Sequence, residues 1–288
     1  MAIASELLLM FLKAQAAASF AILLVLALRL SVRRLFGAEI GYSLWFLVPP
    51  AGIAGLCPSL PELSAELHFT SPPHGIVHTL ADLWGPALRH SDQIWLAWLV
   101  GALLVGSLFV IGQWRFELSA RAGLAGPAAS GFWPRMIVPA GYAARFSPEE
   151  RQLIRAHERV HMDRRDPTSN LLIAFLQAIS WFNPLAHVAA TLARMDQELS
   201  VDAKVMATHP RGRRRYAETL LKAHAQGLNS PLACALALGG RHPLEVRLAM
   251  LGMGKVSVQR DGLGMLLVFV LAVLVVSAVM ILAPGLSG

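Results

Sequence analysis

The 288-residue sequence predicts a mainly α-helical integral membrane protein, with four membrane-crossing helices and one sizeable domain outside the bilayer. Three observations carry this. Hydrophobic residues make up 55% of the chain and charged residues only 15%, and the mean hydropathy of +0.53 is well above that of a soluble domain. The apolar residues are gathered into stretches instead of being spread evenly. Between the third and fourth stretches lies a long polar segment with strong helix-start signals.

The four stretches run from about Leu7 to Leu28, Tyr42 to Cys57, Ile94 to Gly112 and Leu263 to Ala283. A helix needs ~20 mostly apolar residues to cross a ~30 Å hydrocarbon layer. The first, third and fourth meet this, while the second is short and holds Pro49-Pro50. Lys13 sits inside the first stretch and reads as an anchor near the outer boundary, because a long cation can snorkel. The first stretch is not a cleaved signal peptide: it lacks a basic leader and is followed by Arg29, Arg33 and Arg34, a stop-transfer pattern.

Orientation follows from the cations. The loop holding Arg29 to Arg34 is basic, and Arg115 and Arg121 follow the third stretch. Residues Pro58 to Gln93 instead carry Glu62, Glu66, Asp82 and Asp92 against Arg89 alone. Positive-inside bias therefore puts the polar domain in the cytoplasm, and both termini and the acidic loop outside. This divides the chain into a membrane domain at 1–114 with its outer loop at 58–93, a cytoplasmic domain at 115–262, and a last span with a short tail at 263–288. Ala120 to Gly131, rich in Gly, Ala and Ser, reads as a linker. Cys57 and Cys234 fall on opposite sides of this map, so no disulfide framework is expected.

The net charge of +7 and the run Arg211, Arg213, Arg214 and Arg215 invite comparison with nucleic-acid binders. Positive-inside topology and anionic headgroups account for the excess, and no zinc finger, helix-turn-helix or aromatic-basic platform accompanies it. Direct nucleic-acid binding is not expected. His68, His74 and His78 of the outer loop lack the acids or cysteines of a metal site and read as surface residues.

Within the polar domain, Ser147-Pro148-Glu149-Glu150 spells a helix start: an N-cap, proline at the first helical position and a capping-box Glu. Leu153, Ile154, His157, Val160 and His161 then recur at helical spacing. His157-Glu158-Arg159-Val160-His161 is an HExxH sequence, in which two imidazoles on one helix face can chelate Zn²⁺ with a carboxylate beside them. Asn183-Pro184 opens a second helix that ends before Pro210. It carries Glu198 and Asp202 at i and i+4, on one face. Glu198 is the best third ligand, because Asp163 and Asp166 lie too close to the histidine helix and Asp166-Pro167 reads as the cap of the next helix. A His, His, Glu set leaves a fourth zinc position open, and Asp202 is placed to accept the second ring N–H of a ligand histidine. Leu171 to Phe182 is apolar nearly all round but too short to span, so it is expected to be buried or to lie against the bilayer, with Trp181 and Phe182 at its end read as core packing ahead of the alternative, a membrane-interface anchor. Tyr216 and His224 receive no role from sequence alone.

Taken together, the run from Ser147 to Asp166, the Trp181-Phe-Asn-Pro184 element and Glu198-Leu-Ser-Val-Asp202 resemble the BlaR/MecR-type membrane metallopeptidases, the family of the β-lactam sensor-transducers. Pro134-Arg-Met-Ile-Val-Pro139 resembles the short strand that the family places before its zinc helix. The resemblance implies a cytoplasmic, gluzincin-like zinc domain with a small β element. It implies a zinc endopeptidase in which His157, His161 and Glu198 hold Zn²⁺ and Glu158 is the proton acceptor. It also implies signal-induced proteolysis, through self-cleavage or inactivation of a cytosolic transcriptional repressor as protein substrate. The chain departs from the β-lactam sensors after the fourth stretch, where only Pro284 to Gly288 remain and the penicillin-binding domain is missing. A stimulus would then enter through the outer loop, the lipid bilayer or a separate sensor protein. Two alternatives stand beside this reading: a membrane quality-control metalloprotease and a non-enzymatic signalling adaptor. The sequence does not define an oligomeric state.

Overall fold

The structure is a computed structural model that describes residues 2–57, 90–225, 243–252 and 258–282. Most of the outer loop at 58–93, including the stretch from Ser64 to His78, and Cys234 lie outside the described residues.

Among the described residues three helices are long and apolar enough to cross a membrane: α1 (Ala2–Phe36), α4 (Ser91–Arg121) and α11 (Val258–Leu282). Their flanks behave as lipid-facing surfaces would. On α4, Leu103, Leu104, Leu108 and Val110 are each more than 60% exposed, a continuous apolar stripe that water would penalise and acyl chains would not.

The expected second span is not one long helix among the described residues. It is divided into α2 (Ala38–Ser43), a 3₁₀ turn at Leu44–Leu47 and α3 (Val48–Leu56). The junctions Ser43, Leu44, Leu47 and Val48 nevertheless all keep right-handed helical angles. Pro49 and Pro50 occupy the first turn of α3, where a missing N–H costs least. The run packs along α1, and at Gly55 an added Cβ would lie 2.7 Å from Ala14 Cα, so glycine is needed for the close approach. Ala21, Ile22 and Val25 of α1, Ile40, Leu44 and Leu47, and Val275 of α11 form the membrane-side core with Ala189 and Ala193.

The expected linker holds regular structure at both of its ends. Ala120 and Arg121 complete α4, and Ala128–Ser130 form β1. β1 pairs antiparallel with β2 (Arg135–Ile137), in the register Ala128↔Ile137. The strand expected within Pro134 to Pro139 is therefore present, and its partner is the segment that composition had marked as flexible. A short α5 (Tyr142–Arg145) leads to α6 (Pro148–Asp163). The reciprocal capping box forms: Glu150 N donates to Ser147 Oγ at 3.2 Å and Ser147 N donates to Glu150 Oε2 at 2.7 Å.

After α6 come α7 (Asp166–Ile179) and α8 (Pro184–Thr208). α8 opens with Asn183 Oδ1 accepting from Leu185 N at 3.0 Å and stops before Pro210. A 3₁₀ turn (Pro210–Gly212), α9 (Arg213–Ala225) and α10 (Pro243–Leu251) close the domain. Leu153 of α6, Val201, Val205 and Met206 of α8, Tyr216 of α9 and Leu251 of α10 form its core.

Candidate metal centre

Helix periodicity puts His157 and His161 on the buried face of α6, each 8% exposed, with Glu158 buried beside them at 7%. α8 crosses this face and brings up Glu198. His157 Nε2 and His161 Nε2 are 3.1 Å apart, Glu198 Oε2 is 3.4 Å from His157 Nε2, and Glu198 Oε1 is 3.5 Å from His161 Nε2. A tetrahedral cation held at ~2.0–2.1 Å requires donor separations of about 3.3–3.4 Å. The two nitrogens lie near that separation, and the carboxylate approaches each of them through a different oxygen, with one ligand atom from each residue within 4.8 Å of the others.

The surrounding hydrogen bonds decide which ring nitrogens face one another. Tyr216 Oη donates to Asp202 Oδ1 at 2.6 Å, so its oxygen is left to accept from His157 Nδ1–H at 2.8 Å. His161 Nδ1 donates to Asp166 Oδ2 at 2.7 Å. With both protons on Nδ1, both Nε2 lone pairs point into the same space, an arrangement that a cation between them stabilises. Burial alone would lower the pKa of His157, but hydrogen bonding to Asp202 and Glu198 and the charges of Glu198 and Glu158 raise it to about 10. The acids around the two imidazoles therefore favour a cation in this pocket.

Two charged partners in this shell were not legible beforehand. Arg247 of α10 grips Asp202 with two donors, Nε to Oδ2 at 2.8 Å and Nη2 to Oδ1 at 2.7 Å, and its Nη1 lies 3.1 Å from Glu198 Oε2. Although burial pushes both carboxyls upward, Arg247 and the histidines hold Glu198 and Asp202 well below the usual carboxylate range. Asp202 itself is 3.4 Å from His157 Nδ1, so the Tyr216 hydroxyl stands closer to that nitrogen than the carboxylate does. Asp166, expected as a helix cap, makes no cap: Arg165, at φ 56°, holds that position. Arg164 instead clamps the Asp166 carboxylate against His161, with Nε at 3.2 Å from Oδ1. His224 lines the cavity.

A cavity of about 1010 Å³ opens over the three donors. Its walls include Glu158, β1 from Ala128 to Ser130, and Phe109, Val110 and Trp114 of α4. Among the described residues β1 pairs only with β2, and its residues Ala128 to Ser130 line this cavity.

Two buried imidazoles and a half-buried Glu198, beside the Glu158 carboxylate and facing a cleft lined by a β-strand, are the arrangement of a metallopeptidase. Comparison with known proteins agrees. Residues 113–251, just under half of the chain, match the family model described as BlaR1 peptidase M56. The regulatory protein BlaR1 of Bacillus licheniformis is 31% identical over 90 residues, a stretch covering 31% of this chain and 15% of that relative's length. Over that part of its length the chain is similar to BlaR/MecR-type proteins. No solved structure matches it.

Proposed function

We propose that the chain is an integral membrane zinc endopeptidase of signal-induced proteolysis, acting on itself or on a cytosolic transcriptional repressor. The observation that carries this is the triangle of His157, His161 and Glu198 donors, with both histidine tautomers set by Tyr216 and Asp166. When bound there, Zn²⁺ would polarise a scissile carbonyl and draw the pKa of a water down toward ~7. Glu158 takes the proton of the attacking water and returns it to the leaving amine. Asp202, through the Tyr216 hydroxyl, and Asp166 keep the imidazoles oriented and electron-rich. Arg247 keeps Glu198 ionised. β1, which lines the cleft, is suited to hold an extended peptide by main-chain hydrogen bonds.

The topology that suits this function has four spans, with the run 38–56 as the second. As a helical path with one 3₁₀ turn it would rise roughly 30 Å, enough for the hydrocarbon layer. The zinc domain, at about 115–262, then lies in the cytoplasm and both termini outside.

The test uses full-length protein in lipid vesicles with zinc, following self-cleavage and cleavage of candidate repressors. Wild type should cut, chelation should stop it, and zinc should restore it. Glu158→Gln should bind zinc and not cut. Cleavage by that variant at the wild-type rate would remove Glu158 from the mechanism.

A further inference from the structure

The turn between α7 and α8 is held by α1 on one side and by α4 on the other. Ser180 Oγ accepts from Gln15 Nε2 at 3.0 Å, and Asn183 Nδ2 donates to Ser19 Oγ at 2.9 Å. Both partners belong to the apolar body of α1. On the other side, Trp98 Nε1 of α4 donates to Ile179 O at 2.8 Å, and Trp181 Nε1 donates back to Trp98 O at 3.1 Å. Phe182 packs against Phe11, 6.0 Å between ring centroids, within a group that includes Trp95 and Trp98. These contacts sit far from the arginine-bearing end of α1, where Arg29 and Arg33 reach Asp196.

Two independent rulers measure the depth. From Asn183 to Asp196 along α8, and from Ser19 to Arg33 along α1, the rise is about 20 Å in each case at 1.5 Å per residue. The two helices run side by side over that distance with matched contacts at both ends. If α1 and α4 cross a ~30 Å layer, the turn reaches about two thirds of the way through it.

We infer that α7 and the first half of α8 form a re-entrant hairpin that enters the bilayer from the side of the metal centre, with acyl chains as the partner of its outer face. Leu171, Leu172 and Phe175 of α7 are 52–60% exposed and continue the lipid-facing stripe of α4. An apolar groove lined by Leu99, Leu103, Val110, Phe175 and Ile179 joins the two helices. The turn meets the condition that lipid imposes on irregular backbone, partners from within the protein: Ser180 N donates to Leu176 O, Asn183 N to Ser180 O, and His187 Nε2 lies 3.0 Å from Trp181 O. At Gly101 an added Cβ would lie 2.2 Å from the Trp181 ring, so this tip is seated directly on the α4 backbone. The inference rests on α1 and α4 spanning the bilayer and is independent of the proposed chemistry.

The test places a nitroxide label at single cysteines in a Cys57→Ser, Cys234→Ser background of the full chain, reconstituted in phosphatidylcholine and phosphatidylglycerol vesicles. Leu104→Cys on α4 reports lipid and Arg214→Cys, 93% exposed in its side chain, reports water. Relaxation by oxygen against a water-soluble nickel chelate should give Phe175→Cys and Leu172→Cys the oxygen-rich ratio of Leu104→Cys, at least fivefold above Arg214→Cys. If Leu104→Cys is lipid-exposed while both α7 positions match Arg214→Cys, the hairpin lies outside the bilayer and the inference fails. If Leu104→Cys itself matches Arg214→Cys, the span assignment of α4 fails, and the inference with it.

Discussion

Arg29 of α1 donates two parallel hydrogen bonds to Asp196 of α8, Nε to Oδ2 and Nη2 to Oδ1, both at 2.9 Å. Arg33 adds a third donor at 3.0 Å and Trp45 Nε1 a fourth at 2.9 Å, so the carboxylate is fully enclosed at 1% exposure. Asp196 stands two positions before Glu198 on the same helix. The helix that leaves the membrane therefore holds the helix that carries the third metal donor. Removing one partner of a buried pair leaves the other charge uncompensated, at a cost of about 3–5 kcal/mol.

Asp196→Ala should accordingly lower the thermal unfolding midpoint of the detergent-solubilised protein sharply, and Asp196→Asn less, because the amide still accepts from Arg29 or Trp45. An unchanged midpoint in Asp196→Ala would mean that the two arginines find water.

His157→Ala, His161→Ala and Glu198→Ala should each lose stoichiometric metal, since three protein ligands are the minimum for an open site. Metal content by elemental analysis checks this. Full occupancy in Glu198→Ala would send the third-ligand role elsewhere.

Tyr216→Phe removes the hydroxyl that stands between His157 Nδ1 and Asp202. It should weaken zinc binding by ~10–100-fold, as should Asp202→Ala and Asp166→Ala, while the fold stays intact by circular dichroism. Competition with a fluorescent zinc chelator measures the affinity. A Tyr216→Phe affinity equal to wild type would show that Asp202 alone orients the ring.

Arg247→Gln should move the acid limit of metal binding to higher pH. Arg247 helps depress both Glu198 and Asp202, and a depressed carboxyl contributes above its unfolded pKa and loses that contribution as pH falls through its folded value. Without the guanidinium the folded values rise, so the loss begins at higher pH. Zinc occupancy followed down an acid titration tests the sign, and an acid limit that stays put would make Arg247 a bystander.

Arg214→Cys in the cysteine-free background tests the side of the membrane. A membrane-impermeant maleimide applied to intact cells should leave it unmodified until the cells are opened. Modification in intact cells would put the metal centre outside and exclude cytosolic repressors as direct substrates.

Features set by neighbours in the chain were legible in advance. The Ser147 capping box and the Asn183 cap depend on groups two or three residues apart, and both form as their residue types dictate. The shared face of His157 and His161 follows from helical period alone. The loss of the Ala120 to Gly131 linker has the opposite cause: small residues are neutral to conformation, and β1 forms because Arg135 to Ile137 lie opposite it and Ser130 meets Gln113 and Glu117 of α4. Composition also marked Leu171 to Phe182 as one apolar element. The structure ends α7 at Ile179 and uses Ser180 to Asn183 for a turn whose partners, Gln15, Ser19 and Trp98, are more than eighty positions away.

By itself the sequence determined the membrane character, the HExxH helix, the helix bearing Glu198 and Asp202, and the family resemblance, because each depends on composition or on spacing within one helix. Only the tertiary structure decided how these helices meet: that the carboxylate of Glu198 comes within 3.5 Å of both Nε2 atoms, that Tyr216 rather than Asp202 stands nearest His157, and that Arg247 neutralises the two acids. The reason is physical. A buried charge is tolerated only where its partners arrive from other elements, and no local pattern in α8 records that α9 and α10 will bring a hydroxyl and a guanidinium to the same few cubic ångströms.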